Sequence, residues 1–379
     1  MTTRPLRILH CLRAPVGGLF RHVLDLAEAQ AALGHNVGLL ADSKASDALT
    51  AGKLEAIRPK LDLGLHLIPM SRNPGLGDLA AVQAVTRIAR PLRFDVLHGH
   101  GAKGGLYARL ASARLKRGGM PLTCFYTPHG GVLHFDPASL KGRVLLGAER
   151  AMAGLTDGLV FESEFSERAY AAKVGRSACP SRVIHNGLRA EEFEPVAPKA
   201  DAADLVFVGE LRHLKGVDVL LEALARCTTT PGPTAIIVGA GPDADDFKRQ
   251  AETLGLGGRV RFPGALPARQ AFALGRCVVV PSRAESFPYI VLEAAAAGRP
   301  IIATAVGGIP EIFGTTAHRL IPPGDNRSLR DRIETVVTDP ARSRDEAAVL
   351  RASVRERFTV EGMAAGILDF YADRLGSRS

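Results

Sequence analysis

The chain has 379 residues, which is long for one hydrophobic core and comfortable for two. Its 46% hydrophobic content is that of an ordinary folded protein, no apolar stretch is long enough to span a bilayer, and the five scattered cysteines form no C-x-x-C pair. The net charge of +9 is uneven: residues 1–190 hold 25 Lys and Arg against 14 Asp and Glu, a balance of +11, and the remainder balances to −2. The cysteines fit reduced, buried thiols rather than a disulfide or metal framework, and the short apolar run at Ile8–Leu9 is no signal peptide. A cytosolic protein is expected, with either an anionic partner for the basic first half or ordinary arginine-rich solvated surfaces there. Nucleic acid is disfavoured, because aromatics make up only 5%, Trp is absent and no binding motif is present.

In chain order, Arg7–Cys11 is expected as the first strand, Gly17–Gly18 as a turn and Leu19–Leu33 as a helix stopped by Gly34. Further strands are expected at Asn36–Ala41, His66–Pro69, Asp95–Gly99, Leu122–Thr127, Gly158–Glu162 and Arg182–His185. Helices fall between them at Leu79–Ala89, Gly104–Leu115 and Gly142–Ala153. Such alternation implies parallel βαβ units. Pro195, Pro198 and the alanine-rich 199–203 segment then mark a linker, and the pattern restarts. Strands Leu205–Val208, Ala235–Val238, Val260–Phe262 and Cys277–Val280 are interleaved with helices Val217–Leu224, Phe247–Leu254 and Gln270–Leu274. A last helix is expected from about Phe358 to Leu375. The fold class is therefore α/β, with two Rossmann-like domains facing each other across a cleft, a favoured place for a ligand. The boundaries are 1–190 and 191–357, followed by the helical segment 358–379.

The most informative stretch is Pro281 to Glu311, PSRAESFPYIVLEAAAAGRPIIATAVGGIPE. It places Glu285 in a loop at the C-terminal end of an apolar strand, where ligands of open α/β sheets bind. A helix opens at about Phe287 or Pro288, with Glu293 about two turns into it. Backbone N–H groups and a helix N-terminus suit phosphate, and ionised carboxylates suit sugar hydroxyls. A solvated loop or helix face is the commoner fate of a lone Glu, but Ala294–Ala297 make the helix around Glu293 closely packed. Together these features read as a sugar-nucleotide site.

The full run resembles the retaining family 4 glycosyltransferases of the GT-B fold. Their hallmark is two Glu with seven residues between them, an apolar helix, G-x-P, a strand and GG-x-x-E. Glu285, Glu293, Gly298, Pro300, Gly307, Gly308 and Glu311 reproduce it. The resemblance extends to GGLFRH with Gly17 and Gly18, to the T-x-H-G position at His129, to the N-G turn at Asn186–Gly187, and to the V-G-x-G-P turn containing Gly241. In VGELRHLKG, Lys215 matches a basic family position, but Glu210 stands where many members carry Arg. Arg212, two residues on, is the candidate replacement.

The resemblance implies a retaining hexosyltransferase-type enzyme that moves a sugar from a nucleotide-diphospho-sugar, either a UDP- or a GDP-sugar. Glu293 would bind the ribose, and Glu285 the donor sugar, with backbone N–H groups near Phe287 and Pro288. Lys215, Arg212 and the Gly17–Gly18 turn would stabilise the departing diphosphate, and His129 would lie near the sugar's primary hydroxyl. No cofactor or metal is expected. His98 and His100 have no third ligand at convincing spacing and are taken as cleft-lining or acceptor-side residues, and His22 lies on a helix that is equally compatible with the surface. The acceptor is expected to be an anionic or lipid-linked glycan at a membrane face, in cell-surface polysaccharide synthesis. The cluster Arg109, Arg114, Lys116 and Arg117 would attract it, with peripheral contact to the inner face of the plasma membrane. The competing readings are an epimerase or hydrolase of the same fold, and a non-catalytic sugar-nucleotide-binding module, which Glu210 favours.

Overall fold

The computed structural model describes residues 4–13, 17–44, 48–71, 73–177 and 179–376. The chain divides into two compact units, Met1–Gly187 with Val360–Ser379, and Leu188–Thr359. Each is built on one parallel sheet covered by helices.

The first unit's strands are β1 (Arg7–Leu12), β2 (Asn36–Asp42), β3 (Leu65–Ile68), β4 (Val96–His100), β5 (Thr123–Thr127), β6 (Gly158–Phe161) and β7 (Ser181–Val183). Their order in the sheet is β3-β2-β1-β4-β5-β6-β7. The central strands β1, β4, β5 and β6 are buried on both faces or nearly so, and their polar residues, His10, His98 and His100 among them, are buried with the apolar ones. The strand order reverses between β1 and β4, whose register sets His10 beside His98 and Leu12 beside His100. The helix Gly101–Arg117 after β4 packs close to β1: a Cβ on Gly104 would sit 2.3 Å from the Cys11 carbonyl oxygen. The final helix, Val360–Gly376, belongs to this unit and packs Met363, Ile367, Phe370 and Tyr371 against Ile8, Phe125 and Val160.

The second unit's strands are β8 (Ala203–Val208), β9 (Ala235–Val238), β10 (Val260–Gly264), β11 (Gly275–Val280) and β12 (Ile301–Ala303), in the order β10-β9-β8-β11-β12. The reversal here falls between β8 and β11. Burial of Val206, Val278 and Val280 with Val291, Leu292 and Ala294–Ala297 ties the helix after β11 onto the sheet. Five α-helices among the described residues were not anticipated from sequence: Ala48–Ile57, Ile309–Phe313, Glu164–Lys173, Asn326–Thr338 and Pro340–Arg357. The last three announce themselves by capping instead of apolar periodicity. The side chains of Ser163, Asp325 and Asp339 accept backbone N–H groups of the first turn. The two glycines at 17 and 18 form the start of the helix Gly17–Ala32, not a turn before it. No helix among the described residues is long and apolar enough to cross a membrane.

Candidate functional site

In the second unit, two loops at the strand-order reversal carry the residues picked out by sequence. After β8 the chain runs through Arg212 into a short 3-10 turn, His213–Lys215, and a left-handed Gly216 at φ 72°. A Cβ at Gly216 would lie 2.0 Å from the carbonyl oxygen of Pro281, so the absent side chain lets the β8 loop rest on the β11 loop. Arg283 locks that contact. Its backbone N–H donates to the Leu214 carbonyl at 2.8 Å, and its guanidinium grips the Asp218 carboxylate at 2.7 and 2.6 Å. Sequence reading passed over this pair, because neither residue lies at a motif position.

The clamp brings Lys215 and Glu285 together. Glu285 is buried, and its Oε1 accepts from Lys215 Nζ at 2.7 Å and from Ser282 Oγ at 2.7 Å. Both donors use the same oxygen, so Oε2 has no protein donor among the described residues and stays open to a ligand hydroxyl. A third loop supports the carboxylate. Gly307, at φ 59°, passes so close that a Cβ would lie 1.9 Å from the Glu285 carbonyl oxygen, and the Gly308 N–H donates to the Ser286 carbonyl at 2.7 Å.

Other expectations at this site change. The helix begins at Tyr289, after an extended Pro288, so half-buried Glu293 sits just over one turn in and not two. Proline carries no N–H, so Pro288 is no donor, and any backbone contact from this turn comes from its neighbours. The Phe287 side chain is committed to the core, 5.6 Å from the Phe358 ring. Gly241 packs against the β8 loop, where a Cβ would meet the Leu211 carbonyl oxygen at 2.4 Å. Arg212 is exposed and lies 3.7 Å from Glu210, which occupies the position whose missing positive charge Arg212 was expected to supply. A separate groove of about 690 Å³ opens beside Arg319, Arg332 and Glu346 and includes neither Glu285 nor Lys215.

In the first unit, the reversal between β1 and β4 gathers five histidines. His10 comes from β1, His98 and His100 from β4, His22 from the helix after β1, and His129 from beyond β5. His10 Nδ1 is 3.0 Å from His100 Nε2, and His100 Nδ1 is 3.1 Å from His129 Nε2. Gln30 Oε1 lies 2.7 Å from His10 Nε2, and Asn186 Oδ1 lies 2.8 Å from His22 Nδ1. His98 is held between Tyr371 Oη at 2.6 Å and Thr127 Oγ1 at 2.9 Å. Burial pushes the pKa of His10 and of His22 down to about 4, and burial with the crowding of neighbouring rings holds His98 and His100 well below the usual range. His129, half-buried and in a left-handed conformation at φ 50°, is lowered for the same reasons. The rings are neutral at pH 7.

Sequence spacing offered no third ligand beside His98 and His100. The structure brings His10, His22 and His129 to them, a meeting that depends on tertiary packing and not on any local motif. His22 is buried, not a surface residue, and Asn186 of the N-G turn is its partner. Arg109 is also not at the surface. It is fully buried in a bidentate pair with Glu149, at 2.6 and 2.9 Å, with its guanidinium 4.1 Å from the centre of the Tyr126 ring. Lys116 pairs with Asp157, so only Arg114 and Arg117 of the basic cluster are left exposed. The buried thiols of Cys124 and Cys277 are pushed up to about 12, which makes them inert packing groups.

Comparison with known proteins places the chain. Residues 189–355 match the glycosyl transferases group 1 family, and residues 16–192 match Glycosyltransferase Family 4. The Glycogen synthase of Mycobacterium tuberculosis is 30% identical over 96% of this chain and 93% of its own length. The D-inositol 3-phosphate glycosyltransferase of Acidothermus cellulolyticus is 26% identical over 99% of this chain and 89% of its own. The solved structure of Anabaena HepE in complex with UDP and glucose superposes with a TM-score of 0.81 at 22% identity, covering 97% of this chain and all of that one. The chain belongs to the group 1, family 4 glycosyltransferases, and its fold is GT-B.

Proposed function

We propose that this glycosyltransferase moves a hexose, with retention of configuration, from a UDP- or GDP-sugar to an anionic or lipid-linked glycan in the synthesis of a cell-surface polysaccharide. The observation that carries the reading is the buried Glu285 carboxylate, fixed by Lys215 and Ser282 at the strand-order reversal of the second unit with one oxygen left open. Its open oxygen would accept a donor-sugar hydroxyl, and Glu293 would take the ribose hydroxyls. Lys215, with Arg212 and the Gly17–Gly18 segment, would oppose the charge on the departing diphosphate. In the first unit, His129 is the residue assigned to the donor sugar.

Transfer would occur on one face of the sugar. The bond from the anomeric carbon to the diphosphate breaks as the acceptor oxygen bonds to the same carbon, and the acceptor proton passes to the leaving phosphate oxygen. The charge to be stabilised then sits on the diphosphate, where fixed side-chain cations suffice and no divalent ion is required. The UDP and glucose named with Anabaena HepE support a sugar-nucleotide donor. The basic balance of residues 1–190 supports an anionic acceptor at the inner membrane face of a cytoplasmic enzyme, reached through exposed groups such as Arg114 and Arg117.

The test is thermal stabilisation by a panel of UDP-, GDP- and ADP-sugars, with and without magnesium. Selective stabilisation by one diphospho-sugar without magnesium supports the reading and names the donor. No stabilisation of folded protein by any of them removes the donor site. Turnover of that donor without any acceptor would instead indicate a hydrolase or epimerase. Equal binding to neutral and anionic vesicles would remove the membrane-face assignment.

A further inference from the structure

The histidine network of the first unit holds one group of atoms whose arrangement exceeds what hydrogen bonding needs. One ring nitrogen from each of His22, His100 and His129 lies within 4.8 Å of the other two. Zinc binds imidazole nitrogen at about 2.0–2.1 Å in tetrahedral geometry, which places the ring centres roughly 5.2 Å apart. The observed separations are 4.7 Å for His22–His129, 5.4 Å for His100–His129 and 5.7 Å for His22–His100.

The partners behind the rings fix which nitrogens carry the lone pairs. The Asn186 carbonyl oxygen accepts from His22 Nδ1–H, which leaves His22 Nε2 as a bare lone pair. That nitrogen is buried and has no hydrogen-bond partner, on a residue 1% exposed. An orphaned buried acceptor of this kind calls for a ligand. Gln30 Oε1 accepts from His10 Nε2–H, so His10 Nδ1 accepts from His100 Nε2–H, which leaves the lone pair on His100 Nδ1. His129 Nε2 faces it at 3.1 Å. Oriented imidazoles backed by side-chain carbonyl oxygens and a further ring are the usual support of metal-binding histidines. His129 is half-buried, the one ring of the three with appreciable exposure.

We propose that His22, His100 and His129 form a site for a divalent transition-metal ion of the zinc class. Three imidazoles select Zn²⁺, Co²⁺, Ni²⁺ or Cu²⁺ over Mg²⁺ and Ca²⁺, which take oxygen ligands. Occupancy engages His129 Nε2. Resting on the reading that His129 contacts the donor sugar, the ion is an inhibitor competitive with the donor, and transfer itself stays independent of metal.

The experiment uses the tag-free full chain, treated with chelator and then titrated with Co²⁺. The expected result is one ion per chain with the intense visible absorption of a tetrahedral site, displaced by Zn²⁺ and unaffected by excess Mg²⁺. His22→Gln and His100→Gln should abolish it, with folding checked by circular dichroism. His129→Ala, at a half-buried loop position, serves if either buried variant fails to fold. Asn186→Ala should weaken binding about 10- to 100-fold while keeping all three ligands. His213→Ala removes an exposed group formed with Asp243 and Asp246 and should leave the absorption unchanged. No absorption in the wild type, or absorption lost only in His213→Ala, overturns the site whatever the activity. Metal binding without inhibition keeps the site and overturns the competition with donor, and with it the sugar contact of His129.

Discussion

Arg109 separates two accounts of the basic first half, and Glu149→Gln is the perturbation that distinguishes them. The guanidinium and the carboxylate are 0% and 2% exposed and meet through two hydrogen bonds. Burial, the largest single influence, lowers the Arg109 pKa, but the bond to Glu149 together with the electrostatic pull of Tyr126, Glu149 and Cys124 outweighs it and the net shift is upward, so Arg109 is charged. Removing the carboxylate's charge leaves a buried cation with no counterion, which costs about 3–5 kcal/mol. In a unit of this size each kcal/mol moves Tm by roughly 2–4 °C, so a fall of about 6–20 °C is expected. The chain has no Trp, and four of its five tyrosines (Tyr107, Tyr126, Tyr170 and Tyr371) lie in the first unit, so tyrosine fluorescence follows that unit selectively. Arg109→Met with Glu149→Leu removes both charges and should recover most of the loss, because a desolvated pair contributes little against apolar packing. A Glu149→Gln melt within about 2 °C of wild type would refute this reasoning. So would an Arg109→Met variant that melts normally but binds acceptor more weakly, and that outcome would restore the surface role expected from sequence.

Three further perturbations test the two sites. Glu285→Ala removes an acceptor from charge-assisted hydrogen bonding worth about 1.5–3 kcal/mol, so kcat/KM should fall roughly 10- to 150-fold with secondary structure intact; a folded variant within threefold of wild type would dismiss the role of Glu285. Gly307→Ala should mimic part of that loss, since its Cβ would collide with the Glu285 carbonyl at a φ of 59°, and unchanged kinetics would show that the loop yields freely. Acid should loosen the first unit. His10 and His22 have folded pKa values near 4 against 6.5 unfolded, so the unfolded chain binds more protons between those values. Their stabilisation is complete above pH 6.5 and is lost as pH falls toward 4, by roughly 2 kcal/mol for each independently titrating ring at pH 5. Urea midpoints followed by tyrosine fluorescence in chelator should drop accordingly between pH 7 and pH 5, and equal midpoints would contradict it.

What was legible in the sequence depended on how local its cause was. Alternation of apolar runs with helical stretches gave the parallel sheets, because strands buried on both faces show it without reference to their neighbours. Glu285 and Lys215 were legible because each ends a strand–turn segment whose glycines are required by close approach, as at Gly216 against Pro281. The five-histidine network was not. His10 and His98 are joined only by the register of β1 against β4, and His129 enters from beyond β5. Arg109 looked like a surface charge because its partner, Glu149, is 40 residues away on another helix. The start of the helix at Tyr289 was misplaced by one or two residues because Pro288 is extended, and that shift moves Glu293 along the helix.

The two strand-order reversals use opposite electrostatics, and this constrains what each can recognise. At β8 and β11 the site residues carry fixed charge: Lys215, Glu285 and, at the rim, Arg212. At β1 and β4 the five rings are neutral at pH 7, so the +11 balance of residues 1–190 is not concentrated there. A neutral imidazole offers one donor and one acceptor, which matches a hydroxyl or a metal ion better than a phosphate. A diphosphate therefore finds cations at the second unit's reversal and none in the histidine network. The anionic acceptor proposed for the first unit would then be met by exposed groups such as Arg114 and Arg117, outside the network. Reversing those two charges should weaken binding to an anionic acceptor or vesicle and leave donor-induced stabilisation untouched. Loss of donor binding on the same change would mean that the basic face and the sugar-nucleotide site are one.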